Sequence, residues 1–451
     1  MRPGLIGFHL CLLLFVCRPV TTAAWRQPGV PPPQQDSRHL NGPRTYEGPP
    51  LTLAGALDEA FATNPELAAL RKQVDVTRQR PAQERGLKPP MAEATIWQWP
   101  INSLNPTNTN MYMFMVGQDF PGRGKRQLRT SLAEKDIALA ESDVTIRGRQ
   151  IVTEIKQAYA SLVVARRAAD VHLASVELLR QIADVSQVKY GTGRISQQDV
   201  LKPVVELSRL HSDIIMLDEQ ADIAAARLNV LLNRAPETRI GPVIEPREEV
   251  LLPAPADLQR MAIERQPELQ RVRLEVDRAE AEVAVAKRDY KPDFSIQGGY
   301  MLLPNMTDAW IGRVGITWPN APWSRGKLDA RVAEEAAALE TAKARGRALE
   351  NSVRLAVQEA YVRARSAQDR AALLRTTIVP QSQQTLEISR VGYQTDRVDF
   401  QAVIDNERML LDAQLSYIRA LSDFAQARAD LERAVGTELS PEMVRVIGTE
   451  K

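Results

Sequence analysis

Cysteine is almost missing from this 451-residue chain: there are two, Cys11 and Cys17, both close to the N-terminus. They fall in a segment with Arg2, an apolar run over residues 5–16 and small residues at 21–24, the layout of a secretory signal cleaved near Ala24. The exported chain then has no thiol, which excludes disulfides and thiolate metal sites. Cys17 sits in a poor lipidation context, because Phe15 and Val16 stand where small residues are favoured. Histidine is nearly as scarce. His39, His172 and His211 lie far apart without metal-ligand spacing, and no nucleophile motif or phosphate-cradling loop accompanies them. The stretch Gly122-x-Gly124-Lys125 lacks both the loop spacing and the following Ser or Thr. No catalytic residue, bound metal or cofactor is therefore expected, and the chain reads as a non-enzyme. Net charge is also missing, with 58 Lys plus Arg against 56 Asp plus Glu, so nucleic acid is not the expected partner. Beyond the signal no stretch reaches the ~20 apolar residues of a spanning helix. A membrane crossing would have to be made of strands.

What the sequence does have is a second copy of itself. Lys88-Pro89 returns as Lys291-Pro292, Gly124-Lys125 as Gly326-Lys327, Ala158-Tyr159 as Ala360-Tyr361, and Asn64-Pro65-Glu66-Leu67 as Gln266-Pro267-Glu268-Leu269. Tyr190-x-Thr192-x-Arg194 returns as Tyr393-x-Thr395-x-Arg397. So long a period marks a duplicated structural half rather than a solenoid. The expected organisation is a signal at 1–24, a Pro-rich extended segment at 25–50, a first repeat at 51–245, a second at 246–440 and a tail at 441–451.

Each half opens with helical spacing broken at Asn64-Pro65 or Gln266-Pro267. Alternation follows. Strands are expected over 96–100 and 110–118, joined by turn residues 102–109, and over 294–300 and 310–318 around Pro304-Asn305. Four strands of this length and pattern suit an outer-membrane barrel, yet the smallest such barrels need about eight. Several chains must combine. A proline-bearing corner then leads into a helix with no proline from 126 to 189, ~95 Å long at 1.5 Å per residue. Val144, Gly148, Ile151, Ile155, Ala158, Leu162 and Ala165 recur in it at coiled-coil steps, as do Leu339, Ala342, Gly346, Leu349, Val353, Ala356 and Ala360 in the second copy. Return helices are expected over 196–233 and 398–435.

This order, in duplicate, resembles the TolC family of outer-membrane efflux ducts over residues 51 to about 440. The marks are the Asn-Pro-Glu-Leu segment, Val116-Gly117 and Val314-Gly315, the Gly-Lys corner, Ala-Tyr on the long helix, and the turn into Asp199-Val200-Leu201. The resemblance implies a mainly α fold with a small β part. Duplicated helical hairpins would form a periplasmic α-barrel, and four strands per chain would build a 12-stranded outer-membrane barrel in a homotrimer. It also implies a passive exit duct in contact with outer-membrane lipid, a periplasmic adaptor and an inner-membrane pump of the RND type. The corner at 120–125 is similar to that of members paired with heavy-metal cation pumps. A periplasmic adaptor or coiled-coil scaffold is the rival, but an adaptor has one hairpin within split β-rich domains and a scaffold has no aromatic strands.

On the same resemblance, Asp199 and Asp405 match acidic tip residues of the periplasmic gate, Tyr393 matches a tyrosine that holds it shut, and Arg397 stands one place from a usual arginine. Ala402 departs from the pattern, where relatives often carry an aspartate. Tyr190, Gly191, Thr192, Gly193, Arg194, Gly392 and Thr395 form the expected adaptor-docking tips. Helix capping is the simpler role for each aspartate. Met111, Met113 and Met115 share one strand face, where adaptable apolar filler is the simpler reading against a soft-metal stripe.

Overall fold

The computed structural model describes residues 46–105, 107–244, 253–304 and 306–439. The signal, most of the extended segment, Asn305 of the second turn and the tail lie outside them. The first half runs α1 (Leu53–Thr63), α2 (Pro65–Thr77), α3 (Arg80–Arg85), β1 (Met91–Trp97), β2 (Met111–Phe120), α4 (Lys125–Gly191) and α5 (Gln197–Leu231). The second runs α6 (Pro255–Arg265), α7 (Pro267–Arg288), β3 (Phe294–Leu302), β4 (Ala309–Ile316), α8 (Arg325–Leu373), α9 (Val379–Gln394) and α10 (Phe400–Val435). No helix among the described residues is long and apolar enough to cross a membrane.

Local chemistry sets the breaks. Asn64 ends α1 in extended backbone, and its side-chain oxygen accepts from the Glu66 and Leu67 amides at 3.0 and 3.2 Å while Pro65 takes the first helical position. Gln266 does the same for α7 through the Leu269 amide at 2.7 Å. The repeated Pro-Glu-Leu segment is therefore a capped helix start. Tyr159 is buried, and its hydroxyl meets the carbonyls of Leu51 and Ile244 at 2.9 and 2.6 Å and the Ile244 amide at 2.9 Å. This clamps the two ends of the first repeat, which also form a parallel bridge at Leu51 and Val243. Among the described residues Tyr361, its counterpart, packs beside the second apolar cluster around Leu258, Val357 and Leu431.

Among the described residues the four strands form one antiparallel sheet in the order β1-β2-β3-β4, leaving β1 and β4 as open edges. β1 begins earlier than the aromatic pattern suggests and stops at Trp97; Trp99 and Pro100 belong to the connection. Gln98 there takes a left-handed φ of 57°. Register aligns Ile96, Tyr112 and Leu302, then Phe114, Tyr300 and Trp310, on one face. Val314 and Ile316 continue it, and most of these side chains are exposed. The opposite face mixes Glu93, Thr95, Gln297 and Arg313 with methionines.

The corner after β2 explains the Gly-Lys mark. Lys125 is buried and its ammonium lies 2.8 Å from Asp293, whose same oxygen accepts from the Gly122 amide at 2.6 Å. A side chain at Gly122 would press on the Pro292 carbonyl, so the corner of one half is sewn to the strand start of the other. From there α4 runs 67 residues, ~100 Å at 1.5 Å per residue. Its seam from Gly148 to Ala165 is buried as expected and continues through Ala169, His172, Val176 and Leu179 to Ser186 and Lys189. In α8 the expected seam slips: Ala356 is exposed and Val357 is fully buried instead, the series continuing through Ala360, Ala364, Ala367 and Ala371. A 3.6-residue turn drifts against a 3.5-residue repeat, and one extra step of four resets the phase. The second long helix also contains a π-helical turn, Leu374–Ile378, just before Pro380. Proline has no amide to donate and crowds the preceding turn, and a widened turn relieves both.

Candidate functional site at the helical tips

The two helical hairpins end in turns built alike. Thr192 closes α4 and Thr395 closes α9, each amide bonding back to the carbonyl four residues earlier. Gly193 follows with φ 72°, its amide 2.9 Å from the Tyr190 carbonyl. The equivalent residue in the second turn is Asp396, which holds φ 60° without being glycine. That conformation costs an ordinary side chain roughly 1–2 kcal/mol, and Asp is among the few that tolerate it. What Asp396 contributes is a bridge between turns. One carboxylate oxygen lies 2.6 Å from the Lys189 ammonium and the other 3.1 Å from Arg194.

Lys189 is the centre of this cluster. It is buried at the end of the α4 seam, donates to the Tyr393 carbonyl, and stands 4.0 Å from the centre of the Tyr393 ring. Tyr393 is itself buried, with its hydroxyl 3.0 Å from Ser186 and its ring edge-on to Phe400 at 5.8 Å. The tyrosine matched to a gate thus ties α4 to α9 and α10 within one chain. Lys189 holds the Asp396 carboxyl below the usual carboxylate range, with Arg194 adding to the effect.

The remaining tip residues divide by role. Asp199 caps α5, accepting from the Ser196 amide and hydroxyl at 3.3 and 2.9 Å, with Lys202 3.8 Å away. Asp405 is exposed on α10 and accepts from Gln401 at 3.0 Å. Arg397 is exposed; its backbone amide bonds the Gly392 carbonyl at 2.8 Å. Gly392 abuts Val398, where an added Cβ would come within 2.5 Å of that side chain. Tyr190, Gly191 and Gly193 are exposed, and nothing lies within 4 Å of where a side chain on either glycine would begin. The tips therefore combine a rigid internal latch with a free outer surface.

Lys189, Ser186 and Asp396 hold no fixed position in the repeated motifs. Two signals mark them: extending the α4 seam places Ser186 and Lys189 at core positions, and Asp396 stands where the first copy has glycine. A second polar cluster lies further along the same seams. Glu206 of α5 and Glu407 of α10 are both buried. Glu206 is bound by Arg408 through contacts of 3.1 and 2.5 Å, and that pairing holds its carboxyl below the usual range. Burial pushes the Glu407 carboxyl up; the Ser175 hydroxyl lies beside it, yet neither carboxylate oxygen has a well-formed hydrogen bond.

Comparison with known proteins follows the same lines. The family model described as "Outer membrane efflux protein" matches residues 258–437. The cobalt-zinc-cadmium resistance protein CzcC of Cupriavidus metallidurans is 25% identical over 404 residues, 87% of this chain and 92% of that protein. Nodulation protein T of Rhizobium leguminosarum bv. trifolii is 21% identical, over 70% of each. Among solved structures, CusC superposes with a TM-score of 0.74 at 17% identity, covering 92% of this chain and 99% of that one. The outer-membrane channel OprN gives 0.72 at 19% identity, covering 85% and 89%.

Proposed function

We propose that the chain is an outer membrane efflux protein, the outer-membrane exit duct of a tripartite efflux system working as a homotrimer; the family model over residues 258–437 and the likeness to CzcC along most of both chains support this. The observation that carries this reading is the sheet: four strands with two open edges and one apolar, exposed face, joined to helices far longer than a globular core needs. Open edges are not tolerated in hydrocarbon, so sheets from several copies must join edge to edge into a closed barrel; the likeness to outer-membrane channels supports three copies and 12 strands. The apolar face meets lipid and the mixed face lines the lumen. The exposed apolar residues Val204, Ile215 and Ile223 on α5, and Leu355 and Val362 on α8, supply the contacts between neighbouring copies.

Conduction is passive. The pump selects the cargo and the duct carries it, with a periplasmic adaptor seated on the exposed tip turns and an RND-type pump below. The likeness to CzcC supports heavy-metal cations as the cargo. Asp199 and Asp405, three copies of each near the tip end of the return helices, attract cations and repel anions. The test is a membrane preparation in mild detergent: a heat-modifiable trimer from the outer-membrane fraction that conducts in planar bilayers is expected, and a monodisperse, non-conducting monomer refutes it. Neutralising Asp199 and Asp405 to Ala lowers cation preference; unchanged selectivity would leave them as helix caps alone.

A further inference from the structure

Five of the chain's eleven methionines lie on the four strands, and register puts all five, Met91, Met111, Met113, Met115 and Met301, on the same face. None lies on the apolar face. The methionine face is mixed: it also holds Glu93, Thr95, Gln297 and Arg313 beside Trp97 and Ile311, so the thioethers stand among polar side chains rather than on the apolar face. Met113 and Met301 are direct partners across β2 and β3, and Met111 and Met115 are their diagonal neighbours. The side chain of Met115 is turned across β3, where it lies over Gly299 and is only 6% exposed; a Cβ at Gly299 would sit 2.9 Å from Met115 Cγ. A side chain there would press first on the Phe114 carbonyl and then on the Met115 thioether, so glycine leaves both room. Glu93, opposite Met115 on β1, places a carboxylate on the same row.

We propose that Met113 and Met301, flanked by Met111 and Met115, form a thioether site for soft monovalent cations, Cu(I) or Ag(I), on the inner wall of the barrel. The site rests on the duct reading for its lumenal position. Cross-strand partners have Cβ atoms about 4.5–5.5 Å apart, and the flexible methionine side chain brings two or three sulfurs onto one ion. Thioether sulfur is neutral, needs no deprotonation and favours soft cations over Zn²⁺ or Co²⁺. The ion exchanges without any proton release, which suits transit better than retention.

Equilibrium dialysis of the detergent-purified protein against Ag⁺ in chloride-free buffer, with Zn²⁺ in parallel, tests this. Replacing the four residues by Leu conserves volume and should leave trimer yield unchanged. The expected result is Ag⁺ binding that weakens by about tenfold or more in the variant, given that even losing a ligand's supporting partner costs that much, with Zn²⁺ binding unaffected. Equal Ag⁺ binding by parent and variant overturns the site. On the unsubstituted protein, Ag⁺ should slow peroxide oxidation of Met113 and Met301 relative to exposed Met306; equal slowing, read by peptide mass, overturns it too. Planar-bilayer conductance of the same preparation separates the two readings. Conduction without thioether-dependent Ag⁺ binding removes the site and spares the duct, and Ag⁺ binding without conduction does the reverse.

Discussion

At the scale of single residues, the informative groups are charges set into helix seams. Glu407 occupies a seam position of α10 with Glu206 of α5 nearby, and burial favours its neutral form. A carboxyl whose pKa is higher folded than unfolded contributes stability that is full below its unfolded value and is lost as pH rises through the folded one. Glu206, held low by Arg408, has the opposite slope, contributing above its unfolded value and losing that contribution in acid. Glu407→Gln should therefore raise the melting temperature at neutral and alkaline pH and leave it unchanged in acid; a parallel upward shift at every pH would mean that packing rather than ionisation is responsible. The tip latch gives a second prediction. Asp396→Ala leaves the buried Lys189 ammonium without its carboxylate and should lower trimer melting temperature and raise basal conductance. Adding Lys189→Met should recover much of the loss, because removing both partners is milder than stranding one. A double variant worse than the single would rule the latch out.

At the scale of elements, the duplicated motifs have diverged in use. Ala-Tyr occurs on both long helices, but among the described residues only Tyr159 ties the ends of its repeat together. Tyr159→Phe leaves buried backbone groups short of a partner and should cost about 1–3 kcal/mol, whereas Tyr361→Phe should stay within about 0.5 kcal/mol; equal losses in denaturant unfolding would contradict the clamp. The first tip turn allows the proposed docking to be tested apart from folding. Gly193 has open space around it, so Gly193→Val meets no clash and acts through φ alone, at roughly 1–2 kcal/mol. Trimer yield should hold while adaptor-dependent resistance falls, and full resistance in that variant would place docking elsewhere.

At the scale of the whole molecule, the single chain is an incomplete object whose sheet edges and exposed helix stripes call for further copies. Deleting residues 91–118 removes β1 and most of β2 and should abolish membrane insertion while circular dichroism still reports high helicity. Insertion of the deleted chain would refute the barrel. The sequence by itself determined the local grammar, because alternation, seam spacing, proline and glycine punctuation and N-caps act over a few residues: two halves, four strands, very long helices and turn-bearing tips are all readable in one dimension. It left β1 displaced, since Trp97 and Trp99 look strand-like although the chain turns at Gln98, and it put Ala356 in a seam that belongs to Val357, since a slow drift of helical phase has no marker in any short window. The tertiary structure alone decided what depends on distant partners. Asp396 reaches Lys189 across 207 residues of sequence, Asp293 receives Lys125 from the other half, and Met113 faces Met301 only because β2 pairs with β3. Such contacts are set by how the two halves close on each other, and no local pattern encodes that closure.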